Sequence, residues 1–437
     1  MRKFTPLLLL LAMTLMLVVS WTNVLSYNSK IESEYNSHME SAEKLETKEI
    51  YIDAVKEYEA ALSLKNTDFD LAMKIVDMYD KLENKQKYVS ACEKAITIDK
   101  TQWEPYRMLA DYYDESQLYG KTYSILHKAQ DAIGNTDEIN KRLIEVMSRY
   151  SEAIIKYDSI KSFYYLDGGS VGYTNVEINK KFGVLSDGRN VKYECEYDDI
   201  GFLSEKLIPV KVENEYYYLD DNGYRKLVPD ETAEYLGTFQ SGYAPACFDG
   251  TWGYVDHKLA KYSFEYSYAG AFSRGLAAVE KGGKWAVINS SLEPITEFEF
   301  DEILLDDYGH CTLNGLFFAK KGGKYYLYQK DGKCISEGYE DAKLFVSDEP
   351  AAVKNGGKWT FISTEGTPVS DKSYDEVCSY NVGYAPFKQN GKWGCINING
   401  DVVIEPKFDL MESFANNGYA YAEEESESKF IIVTIYE

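Results

Sequence analysis

Two chemically different stretches of this chain repeat at nearly the same interval, and that period constrains the fold more than any other feature. In residues 28–159, Ala61, Ala95 and Ala129 lie 34 residues apart, as do Tyr58, Cys92 and Leu126, then Ala42, Val76 and Ala110, then Leu45, Tyr79 and Tyr113. This stretch is charged, almost free of Gly and helical in pattern, so a fixed period means stacked helix pairs. Small residues sit where two helices cross closely, and large ones fill the groove beside them. No single hairpin can bury its apolar face alone, so neighbours must stack. Cys92 holds a large-residue core position, which argues against a reactive thiol.

These residues resemble the tetratricopeptide repeat, with units at about 35–68, 69–102 and 103–136 and a capping helix expected to about residue 157. The small–large pattern is kept at Ala61, Ala95 and Ala129. The Pro usual near the end of a unit is replaced by Asn66, Lys100 and Gly134, and the small residue opening the second helix is Ala54 in the first unit but Tyr88 and Thr122 in the next two. The resemblance implies a protein-interaction scaffold. A stalk is the plainer alternative, and the residues do not separate the two.

From residue 160 the pattern changes to short strands and Gly turns. The repeat aligns on one aromatic position, Phe182, Tyr216, Trp252, Trp285, Tyr325, Trp359 and Trp393, at spacings of 34, 36, 33, 40, 34 and 34, with Phe430 as a degenerate eighth. A tight turn precedes the later anchors, as at Gly282-Gly283, Gly322-Gly323, Gly356-Gly357 and Asn390-Gly391. These dipeptides tolerate the positive φ of a hairpin turn. An aromatic–acid pair follows 14 or 15 residues after an anchor, at Tyr197-Asp198, Phe300-Asp301, Tyr339-Glu340, Tyr374-Asp375 and Phe408-Asp409. Repetition favours a structural part in each: aromatics packed between units and acids satisfying turn amides. The sharper alternative is a ring of acids on one face, binding a cation.

This grammar resembles the WG-repeat family. Trp252-Gly253 and Trp393-Gly394 keep the Trp-Gly pair, Trp285 and Trp359 keep the Trp alone, and Val402 to Phe408 matches the family's aliphatic–Pro–aromatic stretch. The resemblance implies a binding or surface role rather than a reaction. Regular hairpins must close or stack to manage their edges. The expectation is a β-propeller of seven to eight short blades, with an open β-solenoid as the alternative. Closure is expected from Ser162–Leu166 joining the C-terminal strands Tyr419–Glu424 and Lys429–Tyr436.

At the N-terminus, Arg2 and Lys3 precede an uncharged run from Pro6 to Leu25, whose apolar core, Leu7 to Val19, is 13 residues interrupted only by Thr14. Residues 1–27 are thus read as a cytoplasmic stub and membrane anchor, or as a cleaved signal peptide. The expectation is a multidomain α plus all-β protein: anchor, helical repeats over 28–159 and a WG-repeat β domain over 160–437. Its bulk would lie outside a cell membrane that it crosses once, or would be secreted after cleavage.

A formal charge of −24 over 437 residues, with 71 acids against 47 bases, excludes a basic nucleic-acid footprint. The seven cysteines form no C-x-x-C pair, and their odd number leaves at least one free or paired to another chain. His38, His127, His257 and His310 are scattered, and no H-E-x-x-H, G-x-S-x-G or Walker loop is present. Asp220-Asp221-Asn222-Gly223 reads as a hairpin turn, because Tyr218 occupies the first ligand position of a calcium loop. No catalytic residue, cofactor or metal is assigned. The expected function is a non-catalytic scaffold binding protein partners at the cell envelope. A carbohydrate or cell-wall binding module using surface Tyr is the alternative. A propeller-type glycoside hydrolase is third, since it needs two acids from different units about 5–10 Å apart.

Overall fold

The computed structural model describes residues 5–160, 164–165, 172–186 and 190–433, without the side chains of 5–20, 22–25 and 164–165. The chain divides into two compact units, Met1–Leu143 and Ile144–Glu437.

The first unit is helical. Its elements are α1 (Thr5–Thr47), α2 (Tyr51–Leu64), α3 (Phe69–Lys81), α4 (Lys85–Ile98), α5 (Trp103–Glu115), α6 (Tyr119–Ile133) and α7 (Asp137–Met147). The period is visible in the turns as well as the core. Helices α2, α4 and α6 begin 34 residues apart, and each follows a non-glycine residue in the left-handed region: Glu49, Glu83 and Gln117, at φ 60°, 53° and 59°. Each ends the preceding helix in the same way, as where Asn84 N donates to the Tyr79 carbonyl. Ala61, Ala95 and Ala129, with Tyr58, Cys92 and Leu126, are fully buried. This is the packing of tetratricopeptide-type hairpins. Burial pushes the Cys92 thiol up to about 12, so it is a core side chain and not a nucleophile.

The expected membrane anchor is corrected. Among the described residues no helix is long and apolar enough to cross a membrane. The run belongs to α1, which continues through Lys30, Glu32 and Glu34 to Thr47. The single-pass topology and the extracellular placement derived from it are withdrawn.

The second unit is an eight-bladed β-propeller. Blade 1 is built from Ser159–Ile160, Gly172–Ile178, Lys181–Ser186 and Asn190–Tyr197; Tyr164–Tyr165 also pairs onto its second strand. Blades 2 to 7 follow in chain order, their first strands at Asp199–Ile200, Tyr235–Leu236, Tyr268–Ala269, Glu302–Ile303, Asp341–Ala342 and Glu376–Val377. Blade 8 combines Leu410–Met411, Tyr419–Glu424 and Glu427–Val433 with Tyr150–Ile154 from the other end of the unit.

That last strand closes the ring. Tyr150–Ile154 pairs antiparallel with Glu427–Val433, in register from Tyr150 opposite Val433 to Ile154 opposite Lys429. A cluster of Ile160, Val176 and Leu185 from blade 1 with Tyr419, Tyr421 and Phe430 from blade 8 seals the seam. Closure was expected from Ser162–Leu166, and the capping helix to about 157. Instead α7 ends at Met147. The described part of 162–166, Tyr164–Tyr165, pairs within blade 1, and the rest lies outside the described residues. The closing strand takes its conformation from a partner at the far end of the chain, so nothing local announces it.

Strands in this ring are buried on both faces. In Leu276–Lys281, Ala277 and Val279 face the cluster shared with blade 3, while Leu276 and Ala278 face the one shared with blade 5. The period-2 pattern therefore reads as an unbroken apolar run.

The Trp-Gly pair has a local cause. A Cβ on Gly394 would meet the Ile404 carbonyl at 2.4 Å and the Pro406 nitrogen at 2.7 Å; one on Gly253 would meet Phe264 at 2.6 Å, and one on Gly183 the Tyr193 carbonyl at 2.5 Å. Glycine there lets the fourth strand cross the third at a bulge, seen as a register shift beside each. Blades 1, 3 and 7, with this glycine, carry fourth strands of 8, 6 and 7 residues. Where Tyr217, Ala286, Tyr326 or Thr360 takes its place, the fourth strand is three residues long or reduced to isolated bridges.

Candidate functional site

The seven sequence anchors all lie at the second position of a third strand: Phe182, Tyr216, Trp252, Trp285, Tyr325, Trp359 and Trp393. Six of them stand directly opposite an aromatic of the same blade: Tyr197, Tyr266, Phe300, Tyr339, Tyr374 and Phe408 respectively, with Tyr216 the exception. Rings continue from blade to blade. Tyr235, Trp252, Tyr268 and Trp285 form a chain with successive centroids 5.0, 5.1 and 5.2 Å apart. The anchor aromatics are thus occupied in packing, as Ala61, Ala95 and Ala129 are in the helical unit.

Four acids of the aromatic–acid pairs, Asp198, Asp301, Glu340 and Asp409, join neighbouring blades. Asp301 accepts from Lys284 Nζ of its own blade (2.7 Å) and from Gly322 N in the hairpin turn of the next (2.9 Å). Asp198 repeats this with Lys181 and Glu213 N, and Asp409 with Lys392 and Glu425 N. Glu340 takes the turn amides of Gly356 and Gly357, both at 3.0 Å, and Asp375 pairs with Lys358. The lysine beside each, and then the turn amide, hold the carboxyls of Asp198, Asp301 and Asp409 below their usual range.

A different set of acids lines a cavity of about 870 Å³ formed by first strands, and the loops behind them, of blades 5 to 8, with Ser273 and Arg274 of blade 4. Its carboxylates are Asp306, Asp307, Asp348, Glu376 and Glu412, and its cations Arg274 and Lys343. Lys343 is held over the Trp359 and Trp393 rings, 5.3 and 5.7 Å from their centroids, with Nζ 3.9 Å from Cys378 Sγ. Glu376 accepts from Lys388 at 3.3 Å. Burial, and then the carboxylates of Asp307 and Glu423, push Glu412 up to about 7.

The loop carrying Asp306 and Asp307 spans residues 304–316, thirteen residues where blades 2, 3, 4, 6, 7 and 8 use six to eight. It folds around Asp306, whose Oδ1 accepts from Tyr308 N and His310 N, and whose Oδ2 lies 2.9 Å from His310 Nδ1. It reaches other blades. Ala271 N of blade 4 donates to the Gly309 carbonyl at 3.1 Å, and Tyr308 packs edge-on against Phe202 of blade 2 at 5.3 Å. Behind it lies a second cavity of about 160 Å³, lined by Asn175, Asp199, Phe202, Tyr216, Tyr235 and Thr238 among others; Asp307 and Tyr308 line it too.

None of the cavity acids was singled out from sequence. The one signal was the 40-residue gap between Trp285 and Tyr325, which marks the long loop. Of the histidines, only His310 lies in this region, and it is fully buried. Asp220 closes a turn, accepting from Asn222 N and Tyr224 N. All seven cysteines are free, with Cys334 exposed and Cys195 half-buried. Among the described residues no cluster of His, Cys, Asp and Glu could hold a metal ion.

No curated protein matches this chain. The WG containing repeat matches at residues 182–216, 262–285, 359–393 and 393–426. Two of these matches run from anchor to anchor, so a family repeat covers the outer strands of one blade and the inner strands of the next. A crystal structure of the eukaryotic initiation factor is similar at TM-score 0.38 and 13% identity, over 57% of this chain and 78% of that one. The first TPR of Spaghetti (RPAP3), bound to an HSP90 peptide, is similar at TM-score 0.22 and 14% identity, over 26% of this chain and 90% of that one. The Sgt2 TPR domain from Aspergillus fumigatus gives TM-score 0.21 and 17% identity, over 26% and 76%. The chain carries tetratricopeptide-like helices and, following them in sequence, a propeller with WG containing repeats.

Proposed function

We propose that this chain is a non-catalytic scaffold that binds protein partners, through the helical hairpins and through the acidic cavity of the propeller. One observation carries the reading. Residues that recur in every unit are taken up by packing between units, whereas the cavity is lined by loops that differ from blade to blade, with five carboxylates against two cations. In repeat proteins such non-repeated loops on one face are where partners are bound. Selection of a random peptide display library on the whole chain tests this. Enriched peptides with micromolar affinity, weakened when Asp307, Asp348 and Glu412 are made amides, support it. Absence of any enrichment counts against it.

A second reading rests on Glu412. A carboxyl raised to about 7 beside the carboxylate of Asp307, from a different blade, is the kind of pair that serves glycoside hydrolysis. Turnover of a panel of chromogenic glycosides, abolished by Glu412→Gln, would replace the scaffold with this reading. The carbohydrate-binding alternative has less support, because it needs surface Tyr, and among the described Tyr side chains of the propeller only Tyr224 and Tyr262 are exposed.

A further inference from the structure

One position of the propeller repeat changes character around the ring. In blades 2 to 8 the residue after the first strand donates its amide to the second strand of its own blade, so these residues are structural equivalents. In blades 2, 3 and 4 it is Gly201, Gly237 and Gly270. A Cβ there would lie 2.6 Å from Pro209, Pro245 and the Gly309 carbonyl respectively, so no side chain fits. In blades 5 to 8 it is Leu304, Lys343, Cys378 and Glu412, and all four line the larger cavity. A packing part would recur with its position; here the position recurs and the residue does not.

Blades 6, 7 and 8 thus set a lysine, a thiol and a carboxyl at one level of the cavity, and the two charged groups do not pair. Lys343 lies over the Trp359 and Trp393 rings with Nζ 3.9 Å from Cys378 Sγ, and among the described residues no carboxylate lies within ion-pair distance of it. That contact leaves two of its three N–H donors. The Cys378 thiol itself turns to the Met411 carbonyl, at 3.8 Å. The half-buried Glu412 carboxyl accepts no hydrogen bond and pairs with no cation among the described residues. The other charges of the cavity are engaged or exposed. Asp306 is held by His310, Glu376 by Lys388 and Arg274 by the Leu313 carbonyl, while Asp307 and Asp348 are exposed.

A charge drawn out of water is destabilising unless a counter-charge reaches it. A cavity that holds an acid and a base apart, both unsatisfied, is complementary to a ligand bearing both charges. A simple anion would meet five carboxylates, and a simple cation would meet Lys343 and Arg274. The volume of about 870 Å³ admits a carbon body between the charges, and Leu304, Leu313, Leu344 and Val346 offer it apolar wall. We propose that this cavity binds a zwitterion, an amine and a carboxylate on one carbon body, with Lys343 receiving the carboxylate and Glu412 the ammonium. Its source is a free amino acid or a short peptide. The proposal rests on the scaffold reading in one respect, that this cavity is a binding face, and names what it takes.

Isothermal titration of the whole chain with leucine and with the tripeptide Gly-Leu-Gly, each free, N-acetylated and C-amidated, tests this. A free zwitterion should bind, and either block should weaken it at least about tenfold. Two variants should each lose one discrimination. Lys343→Met keeps an apolar chain over the tryptophans and should bind the C-amide as well as the free zwitterion. Glu412→Gln should bind the N-acetyl form as well as the free zwitterion. A cooperative melt near the wild-type temperature verifies that each variant is folded. Tighter binding of leucine assigns a free amino acid, and tighter binding of the tripeptide assigns a peptide; either order supports the site. Failure of both zwitterions to bind, equal binding of the blocked forms by wild-type protein, or full discrimination kept by both folded variants overturns it. If that happens while display-selected peptides still bind through Asp307 and Asp348, the scaffold reading stands and the zwitterion assignment alone falls. If neither binds, both fall.

Discussion

Lys284 and Asp301, 17 residues apart, form an ion pair of 2.7 Å, and the second oxygen of Asp301 holds the Gly322 amide in the turn of the following blade. The same 17-residue separation recurs in Lys181–Asp198, Lys358–Asp375 and Lys392–Asp409. One carboxylate thus ties its own third strand to its neighbour's turn, and the repetition of the pair around the ring is a stitch and not a ligand site.

This stitch predicts an acid limb in stability. The carboxyls of Asp198, Asp301 and Asp409 are held low in the folded chain, chiefly by their lysines. Their contribution is complete above the unfolded value of 3.8 and is lost as pH falls through the lower, folded values. Melting temperature should fall as pH is lowered from about 4 towards 2.5. Replacing all three by Asn should flatten that limb, and a limb of unchanged slope would show that other groups govern it.

Gly394 predicts a packing cost. An added methyl would lie 2.4 Å from the Ile404 carbonyl, a backbone atom that cannot rotate away. Gly394→Ala should destabilise the propeller by about 1–3 kcal/mol, measured as a shift in urea midpoint. Thr360→Gly in blade 6, where only bridges stand outside the third strand, should change stability by less than about 1 kcal/mol. Equal effects at the two sites would separate the glycine from the fourth strand.

Glu83 predicts a gain. It sits at φ 53° between α3 and α4, where a side chain costs about 1–2 kcal/mol and glycine costs nothing sterically. Part of that gain is offset by the freedom glycine adds to the unfolded chain. Glu83→Gly should therefore stabilise the helical unit by about 0.5–1 kcal/mol, read by circular dichroism at 222 nm. A loss would mean that the Glu83 side chain does more than tolerate its conformation.

What was legible in the sequence followed from repetition. Helix pairs, hairpin turns and anchor positions recur, so several copies report on one geometry. The stitch acids were legible in the same way, as acids serving turn amides. Asn179-Lys180 and Glu425-Ser426 form the same turn with both φ positive but without glycine; Asn179 is a weak signal of it, and Glu425-Ser426 gives none. The closing strand was hidden because its pairing is set by Glu427–Val433, at the other end of the unit. The N-terminal run misled because an uncharged stretch behind two basic residues resembles a membrane segment, whereas no helix among the described residues is long and apolar enough to be one. The cavity acids were hidden because Asp306, Asp307, Asp348 and Glu412 occur once each and follow no period; they become neighbours only when the ring closes.

Glu412 supplies the last prediction, and its sign is opposite to that of the stitch acids. Its carboxyl titrates at about 7 in the folded chain, raised from 4.5 by burial and by Asp307 and Glu423. The folded state therefore holds a proton that the unfolded state has released between those values, and stability falls as pH rises through that window. The slope should amount to about 1–3 kcal/mol between pH 4.5 and 7 and vanish above it. Glu412→Gln should abolish it and leave the protein more stable than wild type at pH 7.5. Asp307→Asn should shift the midpoint downward without abolishing the slope, because burial, the larger cause, remains. Denaturant midpoints across pH 4.5 to 8 measure all three proteins. A wild-type profile that is flat through this range would mean that Glu412 is solvated in the cavity and carries no unusual proton affinity.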